Sequence, residues 1–106
     1  MSEVTELSDD SFDGFLKGNS LCVVDFWAPW CGPCRMVGPV LEQLATEYKE
    51  RIAFGKLNID ENEGKAGEYG VMSIPTIILV KDGNVVDKII GSLPKEKIKQ
   101  KLEGLL

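Results

Sequence analysis

Asp25-Phe26-Trp27-Ala28-Pro29-Trp30-Cys31-Gly32-Pro33-Cys34-Arg35 joins two differently patterned parts of this 106-residue chain. Before it, Leu21 to Ala28 is apolar almost throughout. After it, Val37, Val40, Leu41, Leu44, Ala45 and Tyr48 recur at helical spacing, which predicts a helix from about Pro33 to Lys49 with one apolar face turned inward. Pro33 suits the first helical position, where a missing N–H costs nothing. Cys31 then falls at the helix N-terminus and Cys34 in its first turn, on the same side. Their Cα atoms are expected roughly 5–6 Å apart, within the reach of a disulfide. Two thiols that can close and open a small ring make a redox device.

The helix start also singles out Cys31 as the reactive thiol. A free thiol of pKa about 8.5 is only about 3% thiolate at pH 7. Lowering that pKa by about 1.5 gives roughly half thiolate and needs about 2 kcal/mol of differential stabilisation. A helix N-terminus supplies up to about 2 kcal/mol, and its unpaired N–H groups can hydrogen-bond the sulfur. No histidine is required, and the chain has none. Cys34, one turn in, is expected to be more buried and less acidic, so Cys31 attacks and Cys34 resolves. A zinc site would need four ligands, usually thiolate with imidazole. Strand parity places the third cysteine, Cys22, with Val24 and Phe26, away from the face of Val23, Asp25 and Trp27. Cys22 reads as a small buried hydrophobe.

Composition narrows the class. At 106 residues there is room for one core, so the whole chain, 1–106, is expected to be a single domain. Apolar and charged shares of 43% and 27% are those of an ordinary soluble protein, and no apolar run approaches the length of a membrane span. Met1-Ser2-Glu3-Val4-Thr5-Glu6 is acidic where a signal peptide would be basic, so a cytoplasmic location is expected. A net charge of −5 disfavours nucleic acid and acidic membrane surfaces as partners.

Along the chain, Val4 to Leu7 reads as a short strand. Ser8 can cap a helix with Asp9 and Asp10 in its first turn, Phe12, Phe15 and Leu16 facing inward and Gly18-Asn19 as the stop. Leu21 to Trp27 is a central strand covered on both faces. Pro39 interrupts the long helix and predicts a kink. Ile52 to Ile59 is a third strand, and Asp60 to Tyr69 holds a short helix weakened by Gly64 and Gly67. Thr76 to Val80 and Val85 to Ile90 form a hairpin across Asp82-Gly83-Asn84. Pro94 opens a last helix with Ile98, Leu102 and Leu105 inward, and Lys95, Lys97, Lys99 and Lys101 mostly toward water. The order β-α-β-α-β-α-β-β-α fits an α/β domain, a mixed sheet with helices on both faces.

The stretch around Cys31-Gly32-Pro33-Cys34 resembles the thioredoxin family. So do Lys56-Leu-Asn-Ile-Asp60, Tyr69-Gly-Val-Met-Ser-Ile-Pro75-Thr76, Lys81-Asp-Gly-Asn-Val and Gly91, in the family's order and spacing, so the resemblance covers essentially the whole chain. It implies the thioredoxin fold, a central mixed sheet of about five strands flanked by four helices. It also implies a general protein-disulfide reductase, a thiol-disulfide oxidoreductase with no cofactor beyond the Cys31–Cys34 pair. The glycines Gly64, Gly67 and Gly70 do not fit a dinucleotide fingerprint and no phosphate loop is present, so electrons are expected from a separate thioredoxin reductase. The other partners implied are disulfide-containing target proteins, met by a monomer. A disulfide oxidant or isomerase is the alternative enzyme, but such relatives carry a His between the cysteines where this chain has Gly32-Pro33. A thioredoxin-like binding subunit without redox turnover is the alternative from another class.

Several residues take roles from this resemblance. Asp25 is a carboxylate within an apolar strand, a position that costs several kcal/mol if it stays ionised and unpaired. It lies either at an exposed strand end or buried with a raised pKa, and the family's aspartate behind the second cysteine serves as its proton acceptor and donor. Lys56 matches a lysine near that aspartate; read alone it is a strand-edge charge. Trp27, Gly32 and Pro33 are expected to support the pair. Trp30, Ile59, Ile74, Pro75, Ile90 and Gly91 match the apolar rim that receives substrate, although Ile59 and Ile90 also read as plain core. The resemblance makes the Ile74–Pro75 bond cis, against the usual trans preference, and leaves the Ile74 backbone free for an extended segment. Met72 stands where many relatives carry a basic residue. No metal site is expected.

Overall fold

A computed structural model describes residues 2–106; Met1, the first residue of the acidic N-terminal stretch, lies outside them. The elements are β1 (Val4–Leu7), α1 (Phe12–Gly18), β2 (Leu21–Trp27), α2 (Gly32–Glu47), β3 (Ala53–Asn58), α3 (Glu63–Glu68), β4 (Thr76–Lys81), β5 (Asn84–Ile90) and α4 (Lys95–Glu103). Their order is the one the apolar patterning predicts. The strands form one sheet in the order β1-β3-β2-β4-β5. β1, β3 and β2 run parallel, while β4 and β5 are antiparallel to their neighbours. This is the mixed five-stranded sheet with four helices that the resemblance implies.

β2 occupies the centre because nearly every one of its side chains can be buried. Val23 packs with Phe54, Ile77 and Leu79 beneath Val37, Leu41 and Leu44 of α2 and Ile98 and Leu102 of α4. Cys22, Val24 and Phe26 face the other way, under Phe12 and Leu16 of α1 and Ala66 of α3. Each fully buried Val, Leu, Ile or Phe contributes about 1.5–3 kcal/mol by leaving water. The alternation of strand side chains therefore produces two cores, one on each side of a single sheet. Asp82 and Gly83 take φ of 51° and 82°, the left-handed pair that a two-residue hairpin turn requires between β4 and β5.

Three local expectations change. α1 begins at Phe12 with Ser11 before it, and Ser8 to Ser11 form a separate turn. Asp9 is absent from the first turn of α1 because its carboxylate accepts from the Gly64 and Lys65 N–H groups at 3.1 and 2.9 Å. Those two donors open α3 and have no partner within their own helix, so a carboxylate from another element gains more there. α2 ends at Glu47, where Tyr48 turns out of the helix and donates its hydroxyl to Glu103 of α4. The lysines of α4 are less free than expected. Lys95 and Lys99 reach Glu47 at 2.7 and 3.4 Å and Lys101 reaches Asp87 at 3.1 Å, since the fold brings α4 beside the C-terminal end of α2 and beside β5.

Candidate active site

Cys31 stands at the N-cap of α2 with extended backbone, φ −86° and ψ 114°. From there its sulfur accepts the Cys34 backbone N–H at 3.2 Å. One of the otherwise unpaired donors of the first turn is thus aimed at Cys31 Sγ, as the sequence position requires. Pro33 sits within that first turn, where no backbone donor is lost. Gly32 opens the helix with open space around its α-carbon. The two cysteines form a disulfide with Cα atoms 5.3 Å apart, inside the expected range.

Cys34 is not the more buried of the two, contrary to expectation: Cys31 is 4% exposed and Cys34 5%. The reason is a cover that comes from elsewhere in the chain. Trp27, Ile59 and Ile74 pack against Ala28, Cys31 and Cys34. The Ile74 carbonyl oxygen lies 3.7 Å from Cys31 Sγ. What distinguishes the cysteines is which side each faces. Cys34 borders a cavity of about 160 Å³, lined also by Asp25, Trp27, Arg35, Pro39 and Lys56.

Asp25 occupies the inner wall of that cavity. It is 4% exposed, and its Oδ1 is buried without a hydrogen-bond partner among the described residues. Burial pushes its carboxyl up to about 7, against the opposing pull of the Lys56 charge. The exposed strand-end reading of Asp25 is therefore excluded. Lys56 stands beside Asp25 in the β2–β3 register. Its ammonium lies 3.9 Å from Glu6 Oε1 and 5.4 Å from the centre of the Trp27 ring, and among the described residues it forms its ion pair with Glu6 and none with Asp25. Cys22 is on the opposite face of the sheet, and burial pushes its thiol up to about 11.

The rim residues do not all lie at one depth. Trp30 and Ile90 are 65% and 68% exposed, Ile59, Ile74 and Gly91 are half-buried, and Pro75 is buried. Ile74–Pro75 is cis, and Gly91, with φ of 87°, donates its N–H to the Pro75 carbonyl at 2.8 Å. This bond and the Ile74 carbonyl contact place the Pro75 segment and the start of the β5–α4 connection beside the disulfide. Met72 is almost fully exposed.

Two contacts at the site carry no signal in the sequence. The Trp30 indole N–H is shared between both carboxylate oxygens of Asp60, at 3.1 and 3.0 Å. Arg35 donates from Nε and from its terminal nitrogen to the Pro29 carbonyl at 3.3 and 3.0 Å, clamping the loop before Cys31. The Arg35 contact spans six residues across a helix start, and the Asp60 contact spans thirty. Only the folded loops bring those partners together.

Comparison with known proteins agrees with this geometry. The family model described as Thioredoxin matches residues 3–104. A protein named Thioredoxin 2 from Chlorobaculum tepidum is 48% identical over 99 residues, covering 92% of this chain and 91% of the relative. A Thioredoxin from Alicyclobacillus acidocaldarius is 45% identical over 100 residues, covering 94% of this chain and 95% of the relative. A Thioredoxin M-type, chloroplastic, from Pisum sativum is 45% identical over 104 residues, covering 97% of this chain and 60% of the longer pea protein.

Proposed function

The chain belongs to the thioredoxin family, and from that membership we propose how its residues divide the work. It is a protein-disulfide reductase, a thiol-disulfide oxidoreductase acting through the vicinal Cys31–Cys34 pair. In the reduced protein the Cys31 thiolate attacks one sulfur of a target disulfide. A mixed disulfide forms, and the target's other sulfur leaves as a thiolate that takes up a proton. Cys34 gives its proton to Asp25 through solvent in the cavity and attacks Cys31 Sγ. The Cys31–Cys34 disulfide forms, the second target thiolate leaves, and two electrons have passed to the target.

The observation that carries this assignment is the buried, unpartnered Asp25 carboxyl on the same cavity as Cys34. A carboxyl held up to about 7 by burial exchanges a proton near neutral pH, where an ordinary Asp would not. Trp27 and Lys56 flank it on the cavity wall, Lys56 setting how strongly it holds its proton, while Gly32 and Pro33 shape the helix start. Trp30, Ile59, Ile74, Pro75, Ile90 and Gly91 form the apolar surface against which a target segment lies, with the Ile74 backbone beside Cys31. A shallow apolar rim of this kind suits substrates that are themselves proteins. The partners are a separate thioredoxin reductase and disulfide-containing target proteins, and the cytoplasm, where dithiols are kept reduced, is the compartment of action. No helix among the described residues is long and apolar enough to cross a membrane.

Trapping tests the assignment directly. Cys34→Ser should retain targets as mixed disulfides on Cys31 that dithiothreitol releases, because the resolving thiol is gone. Recovery of such adducts on any other cysteine, or equal turnover by the variant, would overturn the division of roles.

A further inference from the structure

Two residues along β1 and β3 from an apolar layer, the sheet carries a row of charges. Val4, Phe54 and Val23 stand side by side across β1, β3 and β2; two residues on, Glu6, Lys56 and Asp25 do the same. All six side chains point to the α2 face of the sheet, because parallel neighbours in register share a face. The row runs from interior to edge: Asp25 is buried, the Lys56 side chain is 31% exposed and the Glu6 side chain 77%. Lys56 and Trp27 border two spaces at once. On one side is the Asp25–Cys34 cavity, and on the other a cleft of about 100 Å³ lined by Glu6, Asn58 and Glu61. Lys56 is therefore the partition between a buried acid and an exposed one, and its ammonium is drawn toward the exposed side.

We propose that Glu6 is a positioning residue for the resolving step: by holding the Lys56 ammonium outward it keeps that cation from pairing with Asp25, and so sustains Asp25 as the acceptor of the Cys34 proton. This rests on the reading of Asp25 given above. The charged and titratable groups facing Asp25 are Lys56 from β3 and Arg35 and Cys34 from α2, while β4 offers only Ile77. Those facing Lys56 from the other side are Glu6 from β1 and Glu61 from the β3–α3 loop. Arg35 is engaged with the Pro29 carbonyl, which leaves Lys56 as the mobile cation.

The sign is fixed by two effects that act together. Removing the Glu6 charge lowers the proton affinity of Asp25 by loss of a negative field. It also releases Lys56 to turn inward, which lowers it again. Across two strand spacings, about 10 Å, loss of one charge alone displaces the Asp25 midpoint downward by about 0.3–0.6 pH unit. Release of Lys56 adds a displacement of similar size, so Glu6→Gln should lower the midpoint by about 1 pH unit.

The test follows the Asp25 carboxyl carbon by NMR against pH in the oxidised protein, alongside the pH profile of insulin disulfide reduction. The proteins are wild type, Glu6→Gln, Lys56→Met, the double variant, Asp25→Asn and, as an exposed control, Glu3→Gln. Glu6→Gln should lower the NMR midpoint and the acid limb of the profile together. In the Lys56→Met background the same change should have only about half that effect. An unmoved midpoint, or equal displacement with and without Lys56, would overturn the proposal. Should Asp25→Asn flatten the activity profile while Glu6→Gln leaves the midpoint in place, only the Glu6 proposal fails. Should Asp25→Asn leave the profile intact, the reading of Asp25 fails and takes this proposal with it.

Discussion

Replacing Asp25 by asparagine should stabilise the protein at alkaline pH and do little for it in acid. The folded carboxyl titrates at about 7, held there by burial, whereas an unfolded Asp titrates at about 3.9. Between those values the folded state binds a proton that the unfolded state has released. Stability therefore falls as pH rises from about 4 to about 7 and stays lowered above that window. At about 1.4 kcal/mol per pH unit the penalty reaches about 4 kcal/mol at pH 8 but stays under about 1 kcal/mol at pH 4. Asn keeps the shape and carries no charge, so it removes this penalty. Any fixed effect of burying an amide is the same at both pH values and cancels in the difference. Urea unfolding of oxidised wild type and Asp25→Asn at pH 8 and pH 4 should show a relative gain of roughly 3 to 4 kcal/mol at the higher pH. That is a large share of the 5–15 kcal/mol expected in total for such a domain. The same substitution should slow disulfide reduction at neutral pH. An equal stability change at both pH values, or a larger loss at pH 8, would mean the carboxylate is stabilised by partners and is not a buried proton acceptor.

Two further outcomes follow from the cysteine pair. With the reduced protein, iodoacetamide should alkylate Cys31 first and with an apparent pKa below that of a free thiol, while Cys22 stays unreacted until the protein unfolds; mass spectrometry of timed digests reads this, and earlier modification of Cys34 would reverse the roles. Pro33→His should raise the redox potential by tens of millivolts, about 1.4 kcal/mol for each 30 mV, by stabilising the reduced thiolate; equilibration against glutathione measures it, and an unchanged potential would remove Gly32-Pro33 as its determinant.

The element order, the two-sided burial of β2 and the position of Cys31 at a helix start were all legible in the residues, because each depends on local period. Apolar side chains at spacing two and three to four define strand and helix, and Pro33 with Cys31 and Cys34 marks the start of α2. The opposite faces of Cys22 and Asp25 followed from the same parity. What local period cannot carry is distance between segments far apart in sequence. That Asp9 caps α3 instead of entering α1, and that Asp60 holds the Trp30 indole, depend on donors meeting acceptors across more than twenty-five residues. The near-equal burial of Cys31 and Cys34 depends on Ile59 and Ile74 arriving from other loops. Lys56 stands beside Asp25 in register yet turns its charge to Glu6. Sequence fixes which residues can be neighbours within an element. Which of several competing charges a flexible side chain reaches is settled only when the sheet assembles, because Coulomb attraction depends on distances that no single strand contains.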